Sequence, residues 1–140
     1  MPDLVAAYQT AFLALGVFTL ALVVQSFIAG LVKNGIKAQP AGIAVAGDIS
    51  DQTFRIVRTH MNGIENYSAF FAASLIAMLA GANATWLTWL ILASVALRLL
   101  YWPVYVFRIG KDGGGLRSNM HVAALILNMA IAVMALLALL

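Results

Sequence analysis

Arg55, Arg58, Asn62 and Glu65 stand at offsets 0, 3, 7 and 10 along one stretch of the chain. At ~100° per helical residue they fall within about 80° of one another and form a single polar stripe. The stripe reaches roughly 15 Å along the axis at ~1.5 Å per residue. Arg98, Tyr101 and Tyr105, at offsets 0, 3 and 7, share one face of a later helix. Arginine forks suit carboxylates, whereas Glu65 suits a cationic group. Arg55, Arg58, Arg98 and Arg117 together face one candidate carboxylate, so the excess charge favours an anionic ligand. The same residues also read as structure. Arg98 and Glu65 can form a buried pair that fixes packing, and Arg55 and Arg58 can snorkel to lipid phosphates.

The helices that position these groups belong to a membrane protein. Hydrophobic residues make up 64% of the 140-residue chain and charged residues 9%. Soluble domains carry about a quarter charged residues. A soluble core of this size could not hide so much apolar surface. The length fits one domain, residues 1–140. The absence of cysteine excludes disulfides, thiolate metal sites and a cysteine nucleophile. A net charge of +3 is too small and scattered for nucleic-acid binding.

Four spans are predicted, at about 4–32, 52–82, 84–107 and 118–140. The first is too long for a signal-peptide core, and Asp3 stands where such a leader has positive charge. Gly35, Pro40, Gly42 and Gly47 punctuate the following loop, and Ser50 or Asp51 can cap the second span. That span is fully apolar only from Tyr67 to Ala82, so its first turns project from one membrane face or line a wet cavity. Gly81, Ala82 and Asn83 form a tight turn. Trp86, Trp89, Tyr101, Trp102 and Tyr105 lie towards the ends of the third span, where aromatic residues meet both interfaces. The expected fold class is an all-α, antiparallel four-helix transmembrane bundle.

Orientation follows from Lys33, Lys37, Arg55, Arg58, Arg108, Lys111 and Arg117, which flank the first and third loops. The termini and the second loop carry no basic residue. The positive-inside rule puts loops one and three in the cytoplasm and both termini opposite. Arg98 lies well inside an apolar span, where a charge costs at least ~2.5 kcal/mol unless paired or wet. Two polar stripes at matching depth predict a cavity between helices.

The segment from Arg55 through Arg58, Asn62 and Glu65 to Asn66 resembles the second-helix signature of the MAPEG family, the membrane-associated proteins of eicosanoid and glutathione metabolism. Arg98, Tyr101 and Tyr105 look like that family's arginine and paired-aromatic stretch, and Arg117-Ser118 like its arginine-serine at the fourth helix. The resemblance implies a homotrimer with glutathione sites between subunits, open to the cytoplasm. It implies that Arg58, Asn62, Glu65, Tyr101 and Tyr105 hold glutathione as co-substrate, with Arg55 and Arg98 in support. Arg117, Ser118 and Tyr105 would be catalytic. Arg117 would stabilise the thiolate, because a nearby cation lowers a thiol pKa, and Ser118 would donate to the sulfur. Tyr105 reads as a general acid, a thiol partner or a plain ligand contact. The thiolate would attack a lipophilic small molecule, or reduce a lipid hydroperoxide, arriving through the membrane lipids.

A departure from the family pattern is the long Gly110–Gly115 loop, which reads as a flexible linker and not a phosphate loop, since no Gly-Lys-Ser/Thr follows it. His60 points away from the stripe and reads as an interface residue. His121 reads equally as a lining residue or a headgroup contact. Asn128 reads as interhelical glue, and two separated histidines do not suggest a metal site. Two other classes compete with the enzyme: a non-enzymatic accessory or assembly subunit with the same fold, and, more weakly, a transporter or channel, against which the sequence shows no obvious internal repeat or pair of broken helices.

Overall fold

The computed structural model describes residues 2–35, 45–110 and 115–140. Lys37, Pro40, Gly42, Lys111, Gly113 and Gly114, expected in loops, lie outside the described residues. Five helices account for nearly all that is described, and no strand occurs among these residues. They are α1 (Pro2–Ala7), α2 (Gln9–Asn34), α3 (Gln52–Leu79), α4 (Ala84–Val106) and α5 (Leu116–Leu139).

The first span, expected at 4–32, is two helices. The break falls at Tyr8, whose hydroxyl donates to the Ala82 carbonyl and whose ring is buried. The break thus coincides with a tertiary partner 74 residues away. The 26 residues of α2 make about 39 Å at ~1.5 Å each, beyond the ~30 Å of a hydrocarbon core. α2, α4 and α5 are long and apolar enough to cross a membrane. α3 has the length but carries Arg55, Arg58 and Glu65, in keeping with first turns that are not wholly lipid-embedded.

The helix ends follow the capping residues. Asp51 Oδ1 accepts from the Thr53 N–H at 2.8 Å to start α3. Asn83 Oδ1 accepts from the Trp86 N–H at 3.1 Å to start α4. α3 stops in a Schellman turn: the Gly81 N–H reaches Met78 O and the Ala82 N–H reaches Ala77 O. Gly81 takes φ +74°, a conformation that suits glycine. α4 ends in the same motif, with Arg108 N–H to Tyr105 O and Ile109 N–H to Val104 O. There the left-handed position is held by Arg108, at φ 53°. Pro103 sits inside α4 and removes the N–H that would serve Leu99 O.

α4 packs on α5, α3 and α2, while α3 also packs on α2 and α5. Phe18, Phe70, Met78, Leu87, Ile91 and Ile131 are buried at the centre. The Phe18 ring meets Tyr67 and Phe70 edge-on, with centroids 5.8 and 6.0 Å away. Outward faces are equally apolar: Leu13, Leu20, Phe27, Val133 and Leu137 are all exposed. Lipid tails solvate such faces, so packing and hydrogen bonds must hold the helices together. Ser94 Oγ donates to Asn128 Oδ1 at 2.6 Å across α4 and α5, as expected of interhelical glue.

Gly63 is where α3 comes close to α2. A Cβ there would lie 2.6 Å from Leu22 Cδ2, inside any real contact. Gly63→Val is expected to destabilise the detergent-solubilised protein by about 2 kcal/mol, since overpacking costs roughly 1–3 kcal/mol. A thermal midpoint equal to that of the native protein would show that Leu22 yields freely.

Candidate functional site

The polar stripe of α3 begins with Arg55, and this residue serves the backbone. Its Nε donates to Val106 O, and its Nη1 to Ile49 O and Ser50 O, each at 2.8 Å. The side chain is buried and joins the start of α3 to the end of α4. The preceding turn is itself tied down. The Ser50 hydroxyl and N–H both donate to Asp48 Oδ1, which holds the exposed Asp48 carboxyl below the usual carboxylate range.

One turn on, Arg58 Nη1 lies 3.3 Å from Glu65 Oε1, and both side chains are about half exposed. Glu65 therefore pairs along its own helix and not with Arg98. Asn62, between them, donates from Nδ2 to the Tyr101 hydroxyl at 2.8 Å. This bond brings the polar faces of α3 and α4 together, as their spacing predicts. Tyr101 and Tyr105 stand 5.6 Å apart by centroid. The Arg117 guanidinium lies 4.7 Å above the Tyr105 ring, within cation–π range.

These side chains border an open hollow of about 300 Å³. Its walls are Arg58, Asn62, Tyr101, Tyr105, Arg117, Ser118, His121 and Val122. Six of these eight are residues that the sequence assigns to the site, and His121 is one that it leaves open. Glu65 reaches the hollow through Arg58. Arg55 and Arg98 do not line it. A roomier groove along α1 and α2, about 450 Å³, is almost wholly apolar and offers no reacting group, so the smaller hollow is the better candidate.

Arg98 is buried behind the hollow. Its Nη1 lies 3.3 Å from His121 Nδ1, and its Nη2 is buried with no hydrogen-bond partner among the described residues. It also borders a small enclosed gap with Asn66, Ser94 and Asn128. His121, which the sequence leaves between lining and headgroup contact, is a lining residue. The signal for it is its position three residues after Ser118, on the same helix face. His60, read as an interface residue, is buried within the chain, and its Nδ1 has no hydrogen-bond partner among the described residues.

The sequence model of the MAPEG family matches residues 5–137, nearly the whole chain. The chain belongs to the MAPEG family. Comparison with individually curated proteins finds no match. Within this MAPEG chain the hollow collects two guanidinium groups, two phenols, an amide, a hydroxyl and an imidazole on three helices. Such a donor-rich wall suits a ligand with several anionic groups. Arg117, which follows the glycine-rich loop, sits over Tyr105. Residues 111–114 themselves are outside the described residues.

Proposed function

We propose that this MAPEG protein binds glutathione in the hollow and uses its thiolate on lipophilic electrophiles or lipid hydroperoxides. One observation carries the reading: Arg58, Asn62, Tyr101, Tyr105, Arg117 and Ser118, drawn from three helices, border a single hollow. Glutathione has two carboxylates and an ammonium group. Arg58 and the tyrosine hydroxyls complement the carboxylates, and Glu65 complements the ammonium. Arg117 and Ser118, at the start of α5, are assigned to the sulfur. The cation favours the thiolate over the thiol. In conjugation the sulfur lone pair forms a carbon–sulfur bond and the leaving group departs with its electron pair. In peroxide reduction two glutathiones supply two electrons, giving an alcohol, water and glutathione disulfide.

The membrane arrangement belongs to the same reading. α2 to α5 form an antiparallel four-helix bundle, with the Arg-rich ends in the cytoplasm and both termini opposite. Three chains assemble, and the neighbour closes the open side of the hollow. The half exposure of Arg58 and Glu65 leaves room for that contact. The second substrate arrives through the lipid.

Isothermal titration of detergent-purified protein with glutathione tests the reading, and a flat titration would end it. Arg117→Met is expected to keep glutathione affinity within a few-fold while turnover falls about 100-fold, the scale of losing one charge-stabilising group. The ultraviolet absorbance of bound thiolate should fall with it.

A further inference from the structure

His121 has a protonation state that its neighbours impose. Arg98 Nη1 lies 3.3 Å from His121 Nδ1. A guanidinium only donates, so Nδ1 must present its lone pair. The imidazole is then neutral, and its single proton is on Nε2. Arg98 is buried and is not part of the hollow's wall, whereas His121 is. Arg98 takes the Nδ1 edge from behind, which leaves the Nε2 edge for the hollow. The ring is also braced by Tyr101, at 5.9 Å between centroids. The charged groups nearby are Arg98 from α4, Arg58 and Glu65 from α3 and Arg117 from its own helix.

We propose that His121 is a neutral Nε2–H donor to the glutathione sulfur, in a tautomer set by Arg98 as a positioning residue. The inference rests on the glutathione reading above. His121 lies on the same face of α5 as Ser118, so the two present neighbouring donors. A neutral N–H stabilises a thiolate without handing its proton back, as an imidazolium of lower pKa than the thiol would.

The test is ¹⁵N NMR of histidine-labelled native protein in micelles, with and without glutathione. The chain has two histidines, and His121→Gln identifies the His121 signals by their loss. The expected spectrum shows a protonated Nε2 and a lone-pair Nδ1 at neutral pH, with Nε2 shifting when glutathione binds. Arg98→Met should turn this into a mixture of tautomers. Titration of the bound thiol by its thiolate absorbance gives a second readout. His121→Phe should raise the apparent thiol pKa by about one unit, a tenfold loss of thiolate. His121→Gln, whose amide nitrogen replaces Nε2, should restore most of it. A protonated Nδ1, or an unmoved thiol titration in His121→Phe that still binds glutathione, overturns the inference alone. A native protein that binds no glutathione overturns the earlier reading and this one together.

Discussion

Arg55→Met is expected to lower the thermal midpoint of the detergent-purified protein by about 10 °C. Arg55 is buried and donates to three carbonyls, those of Ile49, Ser50 and Val106. A hydrogen bond to a charged group contributes roughly 1.5–3 kcal/mol, and acceptors left buried without donors add to the loss. Allowing for relaxation and water entry, about 3–5 kcal/mol is lost. For a chain near this size ~1 kcal/mol moves the midpoint by roughly 2–4 °C. Arg55→Lys should recover less than half, because a compact ammonium cannot reproduce the fork that reaches both the loop and the end of α4. Val106 adjoins Tyr105, so glutathione binding should weaken in parallel with stability. A midpoint within 2 °C of native would mean that the three carbonyls find other donors at little cost.

Arg58→Ala should give the opposite profile. The Arg58–Glu65 pair is half exposed, and such pairs contribute about 0–1 kcal/mol. The thermal midpoint should therefore barely move. Glutathione affinity should fall about 100-fold, because a fork on a carboxylate supplies two charge-assisted hydrogen bonds and each ~1.4 kcal/mol is a factor of ten. Glu65→Ala should cost about tenfold through loss of the ammonium contact. The swap Arg58→Glu with Glu65→Arg can rebuild the pair and the net charge, yet it should not rebuild the site. Calorimetry on the three variants decides the matter. A swapped protein that binds like native would show that the hollow responds to total charge and not to the placement of each group.

Much of this geometry was legible because helix geometry is local. The helices expected over 84–107 and 118–140 appear as Ala84–Val106 and Leu116–Leu139, and that over 52–82 as Gln52–Leu79. Asp51 and Asn83 cap where short polar residues should. Residues three, four and seven apart share a face whatever surrounds them, which is why Asn62 meets Tyr101. Choices between helices were not legible. Spacing does not say how far a helix is rotated, so it could not tell whether Glu65 takes Arg98 from α4 or Arg58 from its own helix. Nor could it separate two arginines on one stripe, Arg55 spent on carbonyls and Arg58 facing the hollow. The bond from Tyr8 to a carbonyl in the α3–α4 turn, made where the first span breaks, is one that no local pattern around residue 8 reveals. His60 shows the same limit: its burial, on the side of α3 away from the polar stripe, is set by neighbouring helices.

The burial of Arg98 has a consequence for ionic strength. Dissolved ions screen a charge at the surface, with a Debye length of about 8 Å at physiological salt, and they do not enter a packed bundle. Arg58 therefore loses its pull on an approaching anion as salt is added. The field of Arg98, set in a medium of low polarisability, persists. Ligand capture should thus have two components: a salt-sensitive rate of arrival governed at the rim, and a salt-resistant hold supplied from within.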